Sequence, residues 1–313
     1  MTRELTLALA GDTMLGRGVA EVLASEPDRS LFSDEIVEIT NAADLFVLNL
    51  ECCISERGEP WPAPGKPFFF RAPPAAADVL VRLGVDCVTL ANNHALDFGH
   101  NALLDTFDHL ESAGIKWVGA GRDLAGARSS IEIQAGDFVL SVVGATDHPE
   151  DFAAHANVPG VAFADLRDEV PRWLIDAVGK ARGDAVLVTP HWGPNMTSGP
   201  LPEIRRAACA LVDAGATAVA GHSAHIFHGV DDFHGVDDRI LYDLGDFVDD
   251  YAIDPILRND LGILWLLKMD EGGPKELEVV PIKLDYCHTR VADGEDARWI
   301  RRAFSARTDT LRG

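Results

Sequence analysis

The sequence predicts an α/β fold, and three observations carry that prediction. Apolar runs of strand length alternate with stretches of helical spacing. The joints between them are punctuated by glycine and proline, 28 and 17 of them in 313 residues. Finally, apolar runs early, midway and late in the chain end in side chains that ligate metals or move protons, where open α/β sheets bind their ligands.

Leu5 to Ala10 reads as the first strand, ending at Gly11-Asp12 with Gly16 and Gly18 in the turn beyond. Asp12 is a candidate ligand, and a helix N-cap is its competing reading. A phosphate loop is a third, but no Gly-Lys-Ser/Thr follows. Residues 31–39 suggest a helix. Residues 44–51 form a second strand closing on Glu51, and Cys52 and Cys53 after it read as packed thiols rather than ligands. The Gly- and Pro-rich stretch 57–67 is a loop, in which Trp61 is either a lid over a pocket or simple loop packing. A short rim strand is expected at 68–71 and a helix at 74–83.

The third strand, 85–90, has the richest end. Ala91-Asn92-Asn93-His94-Ala95-Leu96-Asp97-Phe98-Gly99 puts amides, an imidazole and a carboxylate in one turn. Turn chemistry explains the Asn and Asp residues but not His94. A metal beside a proton-transfer group explains all of them. A helix follows at 101–113, with Leu103, Leu104, Phe107 and Leu110 at helical spacing. Then come a strand at 115–118, a turn at 119–121, and a hairpin pairing 131–133 with 138–144 about Ala135-Gly136-Asp137. The loop 146–160 carries His148 and His155, read chiefly as exposed loop histidines.

Residues 165–180 read as a helix with Trp173 inward. The strand 185–189 ends in Pro190-His191-Trp192-Gly193, and a helix at 201–214 leads to a strand at 216–220. Gly221-His222-Ser223-Ala224-His225 follows it. Two imidazoles three residues apart and hinged on a glycine can turn toward one point, and a metal ion is the usual reason. His228 and His234 lie beyond in a short echo. A strand at 240–247 closes on Gly-Asp, 261–267 and 277–284 suggest antiparallel edge strands, and 296–306 a terminal helix. No linker or composition shift divides the chain, so 1–313 reads as a single domain.

Composition excludes several functions. The 27 basic and 50 acidic residues give a net charge of −23, a surface that repels nucleic acid and anionic membrane. No segment has the roughly 20 apolar residues of a membrane span, and no secretion signal opens the chain. Five scattered cysteines, at 52, 53, 87, 209 and 287, fit reduced thiols in a cytoplasm.

The motifs together resemble the CapA family of the calcineurin-like metallophosphoesterases, named for poly-γ-glutamate capsule synthesis. The matching pieces are Ala-Gly-Asp-Thr-Met-Leu-Gly at 10–16, Asn-Leu-Glu at 49–51, and the stretch 91–99. His-Trp-Gly at 191–193, Gly-His-Ser-Ala-His at 221–225 and Leu-Gly-Asp-Phe at 244–247 complete the set. The resemblance implies a four-layer α/β/β/α sandwich with two mixed sheets face to face. It also implies a centre of one or two divalent ions held by Asp12, Glu51, Asn93, His191, His222 and His225, with His94 as the acid/base. Such donors suit Mn, Zn or Fe, with Mg or Ca also compatible.

Two departures bear on function. Met14 stands where simple phosphoesterases have a histidine, and Pro194, Asn195 and Met196 replace the Glu-Tyr that often follows His-Trp-Gly in CapA relatives. Relatives of this kind include peptide epimerases. The expectation is therefore a cytoplasmic, metal-dependent enzyme that epimerises a Cα of a ribosomally made peptide, with His94 and Asp97 or another pocket histidine as its proton-transfer groups. The alternative is hydrolysis of a phosphoester or amide in a capsule-type pathway. In both, the substrate is a peptide or polyamide in preference to nucleic acid or membrane, and oligomeric state is open.

Overall fold

The computed structural model describes residues 4–26, 29–233 and 236–312. His234 of the expected echo lies outside the described residues. Strands run at Glu4–Thr13 (β1), Leu45–Leu50 (β2), Cys53–Ile54 (β3), Arg71–Ala72 (β4), Cys87–Thr89 (β5), Lys116–Val118 (β6), Ala120–Gly121 (β7), Ile131–Ala135 (β8) and Phe138–Thr146 (β9). They continue at Gly160–Val161 (β10), Ala185–His191 (β11), Ala218–Ala220 (β12), Val230–Phe233 (β13), Val236–Leu241 (β14), Asp246–Val248 (β15), Leu261–Asp270 (β16), Gly273–Asp285 (β17) and His288–Val291 (β18). Helices span Arg17–Ser25 (α1), Asp34–Ala42 (α2), Ala76–Arg82 (α3), Gly99–Ser112 (α4), Leu124–Arg128 (α5), Arg172–Lys180 (α6), Pro202–Asp213 (α7) and Gly294–Arg312 (α8).

Two mixed sheets dominate. One has the order β18-β17-β16-β1-β2-β5-β6, with β15 also on β1; the other runs β13-β14-β12-β11-β9-β8. Strand alternation explains their packing. Leu5, Leu7 and Leu9 of β1 meet Leu140, Leu187 and Ala218 in the core between the sheets. Ala8 and Ala10 face the other way, toward a core with Val19, Ile36, Leu80 and Leu103 from α1 to α4. On the far side Val143, Val188 and Val219 pack against Leu174 of α6 and Leu211 of α7. This is the expected helix–sheet–sheet–helix layering. Among the described residues no helix is long and apolar enough to cross a membrane.

Several boundaries differ from expectation. The stretch after β1 is a helix, α1, and not only a turn. The rim strand reduces to β4, and α6 begins at Arg172 because 165–171 is irregular. The run 240–247 is two strands. It breaks at Gly245, at φ +77°, and β15 crosses to pair in parallel with β1. Finally, neither β16 nor β17 is an edge strand: β16 lies between β1 and β17, and β17 between β16 and β18. The nearly continuous burial of β16 fits a strand covered on both faces.

Candidate metal centre

Because β1, β2 and β5 are parallel, as are β9, β11, β12 and β14, their C-terminal ends collect at one edge of the sandwich. Asp12 lies at its centre, buried. It accepts a hydrogen bond from Asn49 Nδ2 at 2.7 Å and from the Ser223 N–H at 3.2 Å. Its Oδ1 is 4.0 Å from His191 Nδ1 and 3.8 Å from His222 Nδ1. Its Oδ2 is 3.2 Å from His225 Nδ1. The two imidazoles of His191 and His222 approach Nδ1 to Nδ1 at 2.8 Å. Two groups of donor atoms therefore share Asp12: one with His191 and His222, the other with His225 and Asp246.

The loop that delivers the late histidines is strained. Ser223 and His225 adopt φ of +120° and +60°, a region that side-chain-bearing residues enter only when the surroundings impose it. A Cβ on Gly221 would meet Trp192 Nε1 at 2.4 Å, so only glycine fits the hinge. Buried Asp243 braces the loop, accepting from the N–H groups of Ala224 and Gly245.

Glu51 Oε2 lies 4.0 Å from His225 Nδ1, and Oε1 lies 3.9 Å from His94 Nε2. His94 Nδ1 is 2.5 Å from Asp97 Oδ2, and its ring stacks on Phe70 at 3.8 Å. Asp97 also accepts from the Phe70 N–H and from Lys66 Nζ. With its oxygens so occupied, Asp97 orients the imidazole and does not present a free base. Asn93 is less well connected. Its Oδ1 is buried without a partner among the described residues, and the structure does not tie it to the other candidates. The neighbouring Asn92 instead links the turn to Asn49 and the Leu50 carbonyl.

Sequence reasoning missed Asp246, whose Oδ1 is 2.8 Å from His225 Nδ1. The Gly-Asp ending at 245–246 was the signal, the same one that nominated Asp12. The sequence also undervalued His148, which bonds Asp147 and sits 5.2 Å, ring to ring, from His191. His155 is exposed, and its backbone bonds Leu124 and Val158. Met14 is buried and its sulfur takes the Gly16 N–H. Trp61 is loop packing, held against Phe152 and His100 and bonded to Asp151. Cys52 and Cys53 are buried free thiols, the first pushed up to about 12 by burial.

The electrostatics ask for positive charge. Burial, with Asp12 adding to it, drives the Glu51 carboxyl well above the ordinary range. Asp246 rises through burial too, against the pull of His225. Burial opposes ionisation of Asp12 as well, but His225, His222 and Asn49 together hold it below the usual value. His222 is pushed down to about 4 by burial, leaving a neutral ring that can ligate. Among the described residues, both Glu51 oxygens, His191 Nε2 and Asp246 Oδ2 are buried with no hydrogen-bond partner. Each such orphan costs roughly 1–3 kcal/mol, and a cation would satisfy carboxylate and imidazole donors alike. The residues present therefore fit a divalent ion.

The family model of the bacterial capsule synthesis protein PGA_cap matches residues 6–251. The chain belongs to this family. Among PGA_cap-like relatives, a probable polyglutamine synthesis accessory protein of Mycobacterium tuberculosis is 32% identical, over 95% of this chain and 89% of its own. The PGA biosynthesis protein CapA of Bacillus subtilis is 29% identical, over 90% of this chain and 72% of its own. A solved phosphatase from Mycoplasma pneumoniae superposes at a TM-score of 0.56 and 12% identity, covering 90% of this chain and 95% of that one. A hypothetical protein from Thermus thermophilus gives 0.54 at 15% identity, covering 89% and 99%. The fold of this PGA_cap member is thus the calcineurin-like metallophosphoesterase one.

Proposed function

We propose that this chain is a metal-dependent hydrolase of an amide bond in an anionic, glutamate-type polyamide, acting as an accessory to polymer synthesis. The observation that carries this reading is the orphaned Glu51 carboxylate, fully buried beside Asp12, His225 and His94. Membership of the capsule-synthesis family favours a polyamide over a phosphoester, and it favours this reading over epimerisation. Asp12, Glu51, His191, His222, His225 and Asp246 would hold the ion or ions, with Asn93 Oδ1 available to join them.

A divalent ion bound there supplies Lewis acidity to the scissile carbonyl and makes a nearby water more acidic. The chain's own groups do the rest. Burial lowers His94 to about 4, so its ring is neutral near pH 7. Asp97 accepts the hydrogen bond from Nδ1–H, which leaves the Nε2 lone pair facing Glu51 and the centre. Nε2 accepts a proton from water as its oxygen bonds to the carbonyl carbon. The same proton then passes to the departing nitrogen as the C–N bond breaks. Phe70 shields the imidazole from water.

A second reading, Cα epimerisation, keeps one observation in its favour. The His148–Asp147 pair lies against His191, at the other end of the contact chain from His94, and provides the second proton-transfer group that Asp97 does not. One experiment addresses both. Protein loaded with Mn or Zn is incubated in D2O with poly-γ-glutamate, with peptides and with a chromogenic phosphodiester. New amino termini on the polymer, lost in Glu51→Gln, support the proposal. Deuterium at Cα without cleavage supports epimerisation, and ester cleavage alone overturns both.

A further inference from the structure

We propose that Arg17, with the rings of Phe70 and Tyr251, forms a carboxylate-binding subsite that holds a side-group carboxylate of the polymer next to the bond to be broken. The proposal rests on the polyamide reading above, and its test separates the two. Arg17 opens α1 just past the site end of β1. Its φ is +49°, a left-handed conformation that a non-glycine residue holds only under constraint. The constraint is local. Asp250 Oδ2 accepts the Gly18 N–H at 3.0 Å, capping the helix, and lies 3.3 Å from Arg17 Nε.

That single contact leaves the rest of the guanidinium unused. Among the described residues its Nη groups make no hydrogen bond, and the side chain is 32% exposed. It lies over Phe68 at 4.7 Å and over Phe70 and Tyr251, each at 5.8 Å. These last two rings also touch the centre. Phe70 stacks on His94, and Tyr251 meets His225 edge-on at 5.3 Å. An open guanidinium is therefore one ring away from both imidazoles.

Charge explains why it is needed. The chain carries −23, so an anionic polymer is repelled unless a local cation at the rim offsets that field. Two other cations near this rim, Lys66 and Arg71, are occupied. Lys66 bonds Asp97 and the Asn93 carbonyl, and Arg71 bonds the carbonyls of Arg57 and Gly58 while lying over Phe98. Arg17 keeps open donors, in the planar fork that takes a carboxylate with two bonds.

The test is calorimetric binding to the full-length, Mn-loaded protein, with two probes: an amide-linked glutamate oligomer, and the same oligomer with its carboxylates methyl-esterified. Arg17→Gln is expected to weaken binding of the acidic oligomer at least tenfold, leaving the ester, the metal content and the melting temperature unchanged. Arg17→Lys, which keeps the charge and loses the fork, should lose less, and it carries the test if Arg17→Gln fails to fold. Equal loss for both oligomers, loss for neither, or a wild type that binds neither overturns the subsite. Arg17-dependent binding of an acidic oligomer that is never cut would sink the hydrolytic reading and leave the subsite standing.

Discussion

His94–Asp97 and Asp12–Glu51–Asp246 are neighbouring sets of buried polar side chains built to opposite rules. In the first, the Asp97 oxygens take bonds from His94, Lys66 and the Phe70 N–H, and the pair is complete within the protein. In the second, neither carboxylate oxygen of Glu51 has a hydrogen-bond partner among the described residues and Asp246 keeps one oxygen bare. A folded chain does not leave carboxylates buried and unpaired without a reason, because each detracts from stability. The complete pair is equipment ready for use; the incomplete set is a socket. In the proposed function their adjacency is what matters, since the oriented imidazole of His94 would face whatever ion Glu51 helps to hold.

The contrast breaks if the two sets respond alike to mutation. The largest expected effect belongs to the complete pair. His94→Ala should cost roughly 10²–10⁴-fold in kcat with metal content unchanged, and Asp97→Asn about 10²-fold through loss of ring orientation. Elemental analysis alongside turnover checks both; loss of metal in either variant would merge the two sets into one. Next comes the socket. A divalent ion at 100 times its Kd should stabilise the fold by about 2.7 kcal/mol, read as a fall in melting temperature on chelation.

A smaller effect of opposite sign sharpens the comparison. In chelated protein Glu51→Gln should raise stability by about 1–2 kcal/mol, since it removes a carboxyl whose ionisation burial and Asp12 oppose, while abolishing the gain from added cation. A destabilised Glu51→Gln apo-protein would mean that Glu51 is already paired. The smallest effect lies outside both sets. Buried His228 donates through Nε2 to the Thr197 carbonyl, and burial lowers it to about 4 from 6.5. A depressed imidazole contributes stability above 6.5 that is lost as pH falls toward 4, because the unfolded chain takes the proton first. Denaturant titrations of His228→Asn should therefore show a shallower loss across that window than wild type.

The layering and most of the socket were legible in the sequence, because strand ends are marked by a change from apolar runs to Asp, Glu and His. Asp246 escaped because Ile240 to Phe247 reads as one apolar strand, and nothing local shows that the chain changes sheets at Gly245. The central place of β16 was legible but misread: its unbroken apolar run spoke for burial on both faces. Helix α1 was hidden by Gly16 and Gly18, which signal a turn. The link between Arg17 and the centre passes through Phe70 and Tyr251, residues far apart in sequence, so no spacing could reveal it.

The crossing at Gly245 has a mechanical consequence. Asp12 donates its N–H to the Gly245 carbonyl at 2.9 Å, and a Cβ on Gly11 would come within 1.9 Å of that oxygen. The segment that spans the two sheets is thus clamped to the residue both ligand groups share. The spacing between those groups is therefore tied to how the two sheets sit on one another, with two glycines, Gly11 and Gly245, as the point of contact.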